Sequence, residues 1–169
     1  MLHIQSVRKF LLEVRTVKFR LCLLVIMMLS SVNLGAADIG EIKSKSGASL
    51  SHTYTWDGKE LKPKSGATLK NTWLYDGKEL KQKAGATLRE TYVWTGKELR
   101  PKSNATLKNT FVWDGNELKP KAGSTLSKTW TYVRGEWKTK AGAILKNSWV
   151  VTGGIPVPVC VLVILGINR

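Results

Sequence analysis

Hydrophobic residues along this chain recur with a period of 19, far longer than the repeat of any single helix or strand. Leu50, Leu69, Leu88, Leu107, Leu126 and Leu145 fall in one column without an insertion or deletion. Three residues after each leucine stands Thr53, Thr72, Thr91, Thr110 or Thr129, with Ser148 in the last copy. An aromatic column follows at once: Tyr54, Trp73, Tyr92, Phe111, Trp130 and Trp149. A second comes two residues later, Trp56, Tyr75, Trp94, Trp113 and Tyr132, closing on Val151. Aromatic residues at a period of two, interleaved with threonine, predict a strand with one apolar face.

Each predicted strand runs into Asp57-Gly58, Asp76-Gly77, Thr95-Gly96 or Asp114-Gly115, and a second short run then carries Leu61, Leu80, Leu99 or Leu118. Asp-Gly between two strand-like runs predicts a hairpin. The fifth copy keeps the register with Trp137 in place of the leucine and Val133-Arg134-Gly135 at the turn. Read as a two-residue loop, Asp57-Gly58 sets Trp56 opposite Lys59, Tyr54 opposite Leu61 and Thr53 opposite Lys62. The aromatic and leucine columns then share one face, and threonine shares the other with the basic residues. One more column, Gly47, Gly66, Gly85, Asn104, Gly123 and Gly142, admits only asparagine in place of glycine, so it predicts a left-handed backbone at each copy.

The repeats are bracketed by two segments of different character. Residues 1–37 read as a secretory signal: a basic stretch ending at Arg20, the apolar run Leu21 to Leu29, then Ser30 to Ala37. Counted on as far as Asn33 the run reaches about 12 or 13 residues, short of the roughly 18 that an uncleaved anchor needs. Residues 38–154 form the six-repeat domain, and residues 155–169 form an apolar tail of the same domain, uncharged from Ile155 to Ile167. Its valines and isoleucines favour a strand, whereas Pro158 could open a short helix. Six hairpins closed into a ring give about 12 strands, a barrel too wide for its own side chains to fill. The tail is therefore the expected plug, as a helix whose backbone bonds are all internal. The alternative is an open β-solenoid.

Charge narrows the partners. With 27 Lys and Arg against 12 Asp and Glu the chain carries +15, and removal of the signal segment leaves +11. Two basic columns are complete: Lys43, Lys62, Lys81, Arg100, Lys119 and Lys138, and Lys45, Lys64, Lys83, Lys102, Lys121 and Lys140. They are the candidate anion-binding residues, because like charges repeated around a ring converge and their fields add.

The recurring Gly-Ala-Thr-Leu, Thr-aromatic-x-aromatic and Asp-Gly-Lys-Glu-Leu-Lys-Pro-Lys, followed by Gly-Gly-Ile-Pro-Val-Pro and an apolar end, resembles the bacterial β-flower families over about residues 42 to 167. That resemblance implies short hairpin repeats in a shallow, roughly radially symmetric barrel around a hydrophobic C-terminal segment. It implies no activity. The likeness of such barrels to the tubby type suggests contact with anionic lipid head groups, although the export signal departs from that analogy for a cytoplasmic lipid such as a phosphoinositide.

Repetition argues against an enzyme, which needs a unique constellation. Outside the signal segment the chain has one histidine, His52, and one cysteine, Cys160, so neither a catalytic pair nor a metal cluster is expected, and no cofactor. His52 shares a polar surface column with Asn71, Glu90, Asn109, Lys128 and Asn147 and reads as an ordinary strand residue. Glu60, Glu79, Glu98, Glu117 and Glu136 lie beside lysines and read as solvated charge pairs. Asn104 in Asn104-Ala105-Thr106 reads as a turn residue before a glycosylation acceptor, and the aromatics read as barrel wall before stacking platforms. No single disulfide can form in the exported chain.

The expected protein is thus an exported, periplasmic or extracellular bacterial binding module without enzymatic activity. It would engage an anionic membrane surface, lipopolysaccharide or an acidic glycan through its lysines, with no specific nucleic acid. The alternative is a structural self-assembling β-repeat of a fibre or matrix.

Overall fold

In the computed structural model residues 39–168 are described; the predicted signal segment lies outside them. Twelve strands follow in order: β1 Ile39–Ser44, β2 Thr53–Asp57, β3 Glu60–Pro63, β4 Trp73–Tyr75, β5 Glu79–Gln82, β6 Tyr92–Trp94, β7 Glu98–Pro101, β8 Phe111–Trp113, β9 Glu117–Pro120, β10 Trp130–Val133, β11 Glu136–Thr139 and β12 Trp149–Gly153. Neighbours pair antiparallel all the way round, and β1 pairs with β12, so the sheet is a closed barrel and not an open solenoid. Short turns join strands at one rim, and six nine-residue or eight-residue connections lie at the other.

Inside each hairpin the register differs by two residues from the expected one. Trp56 sits opposite Leu61, Thr55 opposite Lys62 and Tyr54 opposite Pro63. The loop is Gly58-Lys59, and Asp57 belongs to the strand end, where its Oδ1 accepts the N–H groups of Lys59 and Glu60 at 3.0 and 2.7 Å. A slip of two residues preserves the alternation of faces, so the aromatic and leucine columns still point inward. The fifth unit turns at Arg134-Gly135, with φ of 53° and 80°, the positive pair a type I′ turn requires.

Between hairpins Leu61 pairs with Trp73, Leu80 with Tyr92 and Leu99 with Phe111. Each leucine is therefore flanked by an aromatic of its own unit and one of the next, and Leu61, Leu80, Leu99 and Leu118 are 0–1% exposed. The pairing climbs two residues per hairpin, a stagger that tilts strands by roughly 35–45° in a ring of this size. Burying a tryptophan removes about 150–250 Å² from water, worth roughly 4–6 kcal/mol. That exceeds the roughly 1–3 kcal/mol lost where the indole N–H groups of Trp56, Trp73 and Trp137 find no partner.

The centre is filled by helix α1, Val157–Ile164, whose residues Pro158 to Ile164 are all buried. It starts one residue before Pro158. A helix apolar on every side is stable only when surrounded. Eight residues span about 12 Å, and a four-residue strand rises about 13 Å, so plug and wall match in height. The chain reaches the interior by turning at Gly153, φ 75°, over Gly40, its strand partner in β1. A Cβ on Gly153 would collide with the Ile39 carbonyl, and one on Gly40 with Ile155 and the Thr152 carbonyl.

Truncation after Gly154 should give insoluble or molten protein by near-UV circular dichroism and gel filtration. A soluble truncate that unfolds cooperatively would show that the wall closes without its plug.

Candidate functional site

Both predicted basic columns lie on the outer wall, but they are not equivalent. The second column is matched one for one by acids. Lys64 Nζ donates to Glu41, Lys83 to Glu60, Lys102 to Glu79, Lys121 to Glu98, Lys140 to Glu117 and Lys45 to Glu136, at 2.6–3.0 Å. Glu41 extends the glutamate column to a sixth member. Each pair straddles one strand, since Glu41 aligns with Thr55 and Thr55 with Lys62, so the bridges form a closed belt linking every hairpin to the next. Exposed pairs contribute about 0–1 kcal/mol each, so the belt's main effect is to occupy these lysines. In the first column Lys43 lies 3.4 Å from Glu41 and Lys62 3.6 Å from Asp57, while Lys81, Arg100, Lys119 and Lys138 make no ion pair among the described residues.

The six long connections were the less legible part. Thr53, Thr72, Thr91, Thr110, Thr129 and Ser148 do not face solvent with the lysines: they are 4–6% exposed. Each hydroxyl donates to the carbonyl four residues back, at 2.7–2.9 Å, folding the connection onto its own strand. The polar column beside them braces the same turn. Asn71 accepts the Thr68 N–H at 2.6 Å and donates to the Gly66 carbonyl at 3.1 Å; Asn109 and Asn147 repeat this. His52 takes part through Ser49 at 2.9 Å and sits in a short helical turn, Leu50–His52, rather than in a strand. Asn104, φ 55°, supplies the carbonyl that Asn109 bonds. All six members of the glycine column adopt positive φ, 55–76°.

Connections are also tied to one another. The carbonyls of Leu50, Leu69, Leu88, Leu107 and Leu126 each accept an N–H from the next connection, at 3.0–3.2 Å. The leucine side chains nevertheless point out. Leu50, Leu69, Leu88, Leu107, Leu126 and Leu145 are 57–62% exposed, and Ile144 joins them at 60%. Just after them come Lys70, Arg89, Lys108, Lys128 and Lys146, exposed and without an ion pair among the described residues.

This rim carries a row of cations beyond the belt. Residues 39–168 contain 21 Lys and Arg and ten Asp and Glu, net +11. Eleven of those cations and one acid, Glu90, belong to the six connections, but six of the eleven are the belt lysines, each bonded to a strand glutamate, so the rim counted with its belt carries +4. Between the fourth and fifth connections opens a cleft of about 690 Å³, with Phe111, Trp130, Ile164 and Leu165 in its lining and Lys108 and Lys128 flanking it.

The aromatic columns line the interior as barrel wall and are not displayed as platforms. Cys160 is buried in α1, and burial pushes its thiol up to about 12 despite the nearby Trp137 indole. Among the described residues no three His, Cys, Asp or Glu side chains gather in a metal-binding group. Comparison of the chain with protein-family models, curated proteins and solved structures finds no match in any of the three.

Two outcomes test this local chemistry. Nothing stands within 4 Å of a Cβ at Gly85, so Gly85→Val should cost about 1–2 kcal/mol through left-handed strain alone, and Asn104→Gly should be neutral, by denaturant unfolding. The second is acid stability. Asp76 and Asp114 are held below the ordinary aspartate value of 3.8, chiefly by the N–H groups of Glu79 and Glu117. For Asp57 burial acts upward but is outweighed by the same turn hydrogen bonds, leaving it lowered. A folded value below the unfolded one stabilises fully above the unfolded pKa and is lost as pH falls through the folded value. Asp76→Asn with Asp114→Asn should therefore flatten the loss of stability between about pH 5 and about pH 2. An unchanged acid limb would contradict the assignment.

Proposed function

We propose that this protein is a non-enzymatic, exported module that binds an anionic surface of the cell envelope through the rim built from the six long connections. The observation that supports this most is the row of exposed cations at the tips of that rim, Lys70, Arg89, Lys108, Lys128 and Lys146, which make no ion pair among the described residues and share the tips with one acid, Glu90. A ring of fixed cations on rigid loops, with water beyond it and almost no acid within it, attracts a polyanionic surface and little else. Lys70, Arg89, Lys108, Lys128 and Lys146 would carry most of the attraction. The column from Lys45 to Lys140 sits at the base of the same connections but is engaged by its glutamates, and the column from Lys43 to Lys138 lies down the wall. Export, to the periplasm or beyond the cell, is the reading of the leader pattern. Fibre assembly through sheet edges is less favoured, because a closed sheet offers no edge strand to pair.

Vesicle co-sedimentation of the full chain tests the reading. Binding to phosphatidylglycerol-containing vesicles should fall steeply as salt rises from about 0.05 to about 0.5 M, over which the screening length drops from more than about ten to about four ångströms. At about 1 kcal/mol per basic residue near an anionic leaflet, changing Lys70, Arg89, Lys108, Lys128 and Lys146 to Gln together should weaken binding by at least about 10²-fold. The same change at Lys62, Lys81, Arg100, Lys119 and Lys138 should cost less. Equal losses would move the contact to the wall, and salt-insensitive binding unaffected by either set would overturn the proposal.

A further inference from the structure

The six leucines of this rim have no role in the fold that their surroundings reveal. Each is more than half exposed, and this recurs in all six copies. Nor is the exposure a loose loop's accident. Five of the six leucine carbonyls bond the next connection, the buried Thr or Ser hydroxyl clamps each turn, and positive-φ residues fix the approach. An apolar side chain held out on a rigid backbone is a presented group.

We infer that these leucines insert into the boundary between head groups and acyl chains of an anionic phospholipid bilayer while the neighbouring Lys70, Arg89, Lys108, Lys128 and Lys146 meet the phosphates. This rests on the anionic-surface reading and commits it to a lipid bilayer. Leucines carried on alternate strand gaps lie roughly 10 Å apart around the rim, with cations between them. That spacing gives no contiguous patch of the kind that anchors a protein partner. A second copy placed rim to rim would set those five cations against the same five. A soluble acidic glycan has no use for aliphatic side chains, whereas an interface with anionic phosphates above hydrocarbon accepts both groups at once. The cleft beside Lys108 and Lys128, with Phe111, Trp130, Ile164 and Leu165 in its lining, repeats the same pairing of cation and apolar surface. The opposite rim does not repeat it in register: its exposed apolar side chains are Ile39 and Val133, and Asp57, Asp76 and Asp114 alternate there with Lys59, Lys78, Lys97 and Arg134.

The test uses the full chain with Cys22→Ser, so that buried Cys160 is the remaining native thiol. An environment-sensitive fluorophore is attached at Leu88→Cys or, on the other rim, at Thr95→Cys. Phosphatidylcholine vesicles with and without phosphatidylglycerol are compared with heparin as a soluble polyanion. Blue-shifted emission is expected at position 88 and not at 95, on anionic vesicles and not on heparin. Changing Leu69, Leu88 and Leu107 to Ser together should weaken vesicle binding by about 10²-fold while leaving heparin binding and thermal unfolding unchanged. Vesicle binding that survives the triple change, or that leaves position 88 unshifted, overturns the leucine inference and leaves the anionic-surface reading standing. Heparin binding without vesicle binding does the same. Absence of binding to either overturns both, and concentration-dependent self-association abolished by the serines would assign the leucines to an interface between copies instead.

Discussion

The match between an eight-residue apolar helix and a wall about four residues high is the constraint on which the other features depend. Twelve strands enclose more space than their own aromatic and leucine side chains fill, so closure without α1 would leave a cavity, and α1 without closure would expose a wholly apolar helix. Neither half buries its surface alone. The Gly40–Gly153 pairing is where the two conditions meet: the last strand must complete the ring and then release the chain into it, which requires a backbone crossing with no room for a side chain.

Once the ring is closed, the other faces are free to specialise. Inward positions are fixed by packing, outward wall positions by a belt of lysine and glutamate that straddles strands, and one rim by Asp-capped turns. What is left is the rim of long connections, which carries no core residues besides the buried threonines. Its leucines and unpaired cations are constrained by nothing within the domain, yet they recur in register with the rest. In a repeat protein a column that contributes neither packing nor pairing is the place to look for contact with something outside the molecule.

Much of this was readable from residue order. The 19-residue period, the hairpins, the inward aromatic columns, the left-handed glycine column and the plug follow from periodicity and from the size of the ring they imply. The register was not, because Asp57 looks like a loop residue and acts as a strand-end cap through its carboxylate. The threonine column looks like an ordinary outward strand position; its hydroxyl bond to a carbonyl four residues earlier draws it inside. The Lys64–Glu41 type of bridge joins residues 23 apart and becomes visible only with the two-residue stagger, although Glu41 at the head of the glutamate column was a signal that six acids matched six lysines. Leucine exposure at the rim had no sequence signature at all: a leucine column reads as core until the strands are placed. The basic residues following those leucines did carry one, since five of six connections have them.

Repetition also decides what kind of recognition this scaffold can perform. Six near-identical connections offer the same groups at six places rather than different groups at one. They can place one weak contact six times in a ring whose geometry the closed sheet holds rigid. For such a surface the first contact aligns the rest, and each further contact loses little additional translational freedom, so affinity grows with the number of connections engaged at once. An extended target satisfies that condition over the whole rim, whereas a small soluble anion can occupy one or two connections. The symmetry of the connections is thus what matches them to the extended surface proposed as their partner.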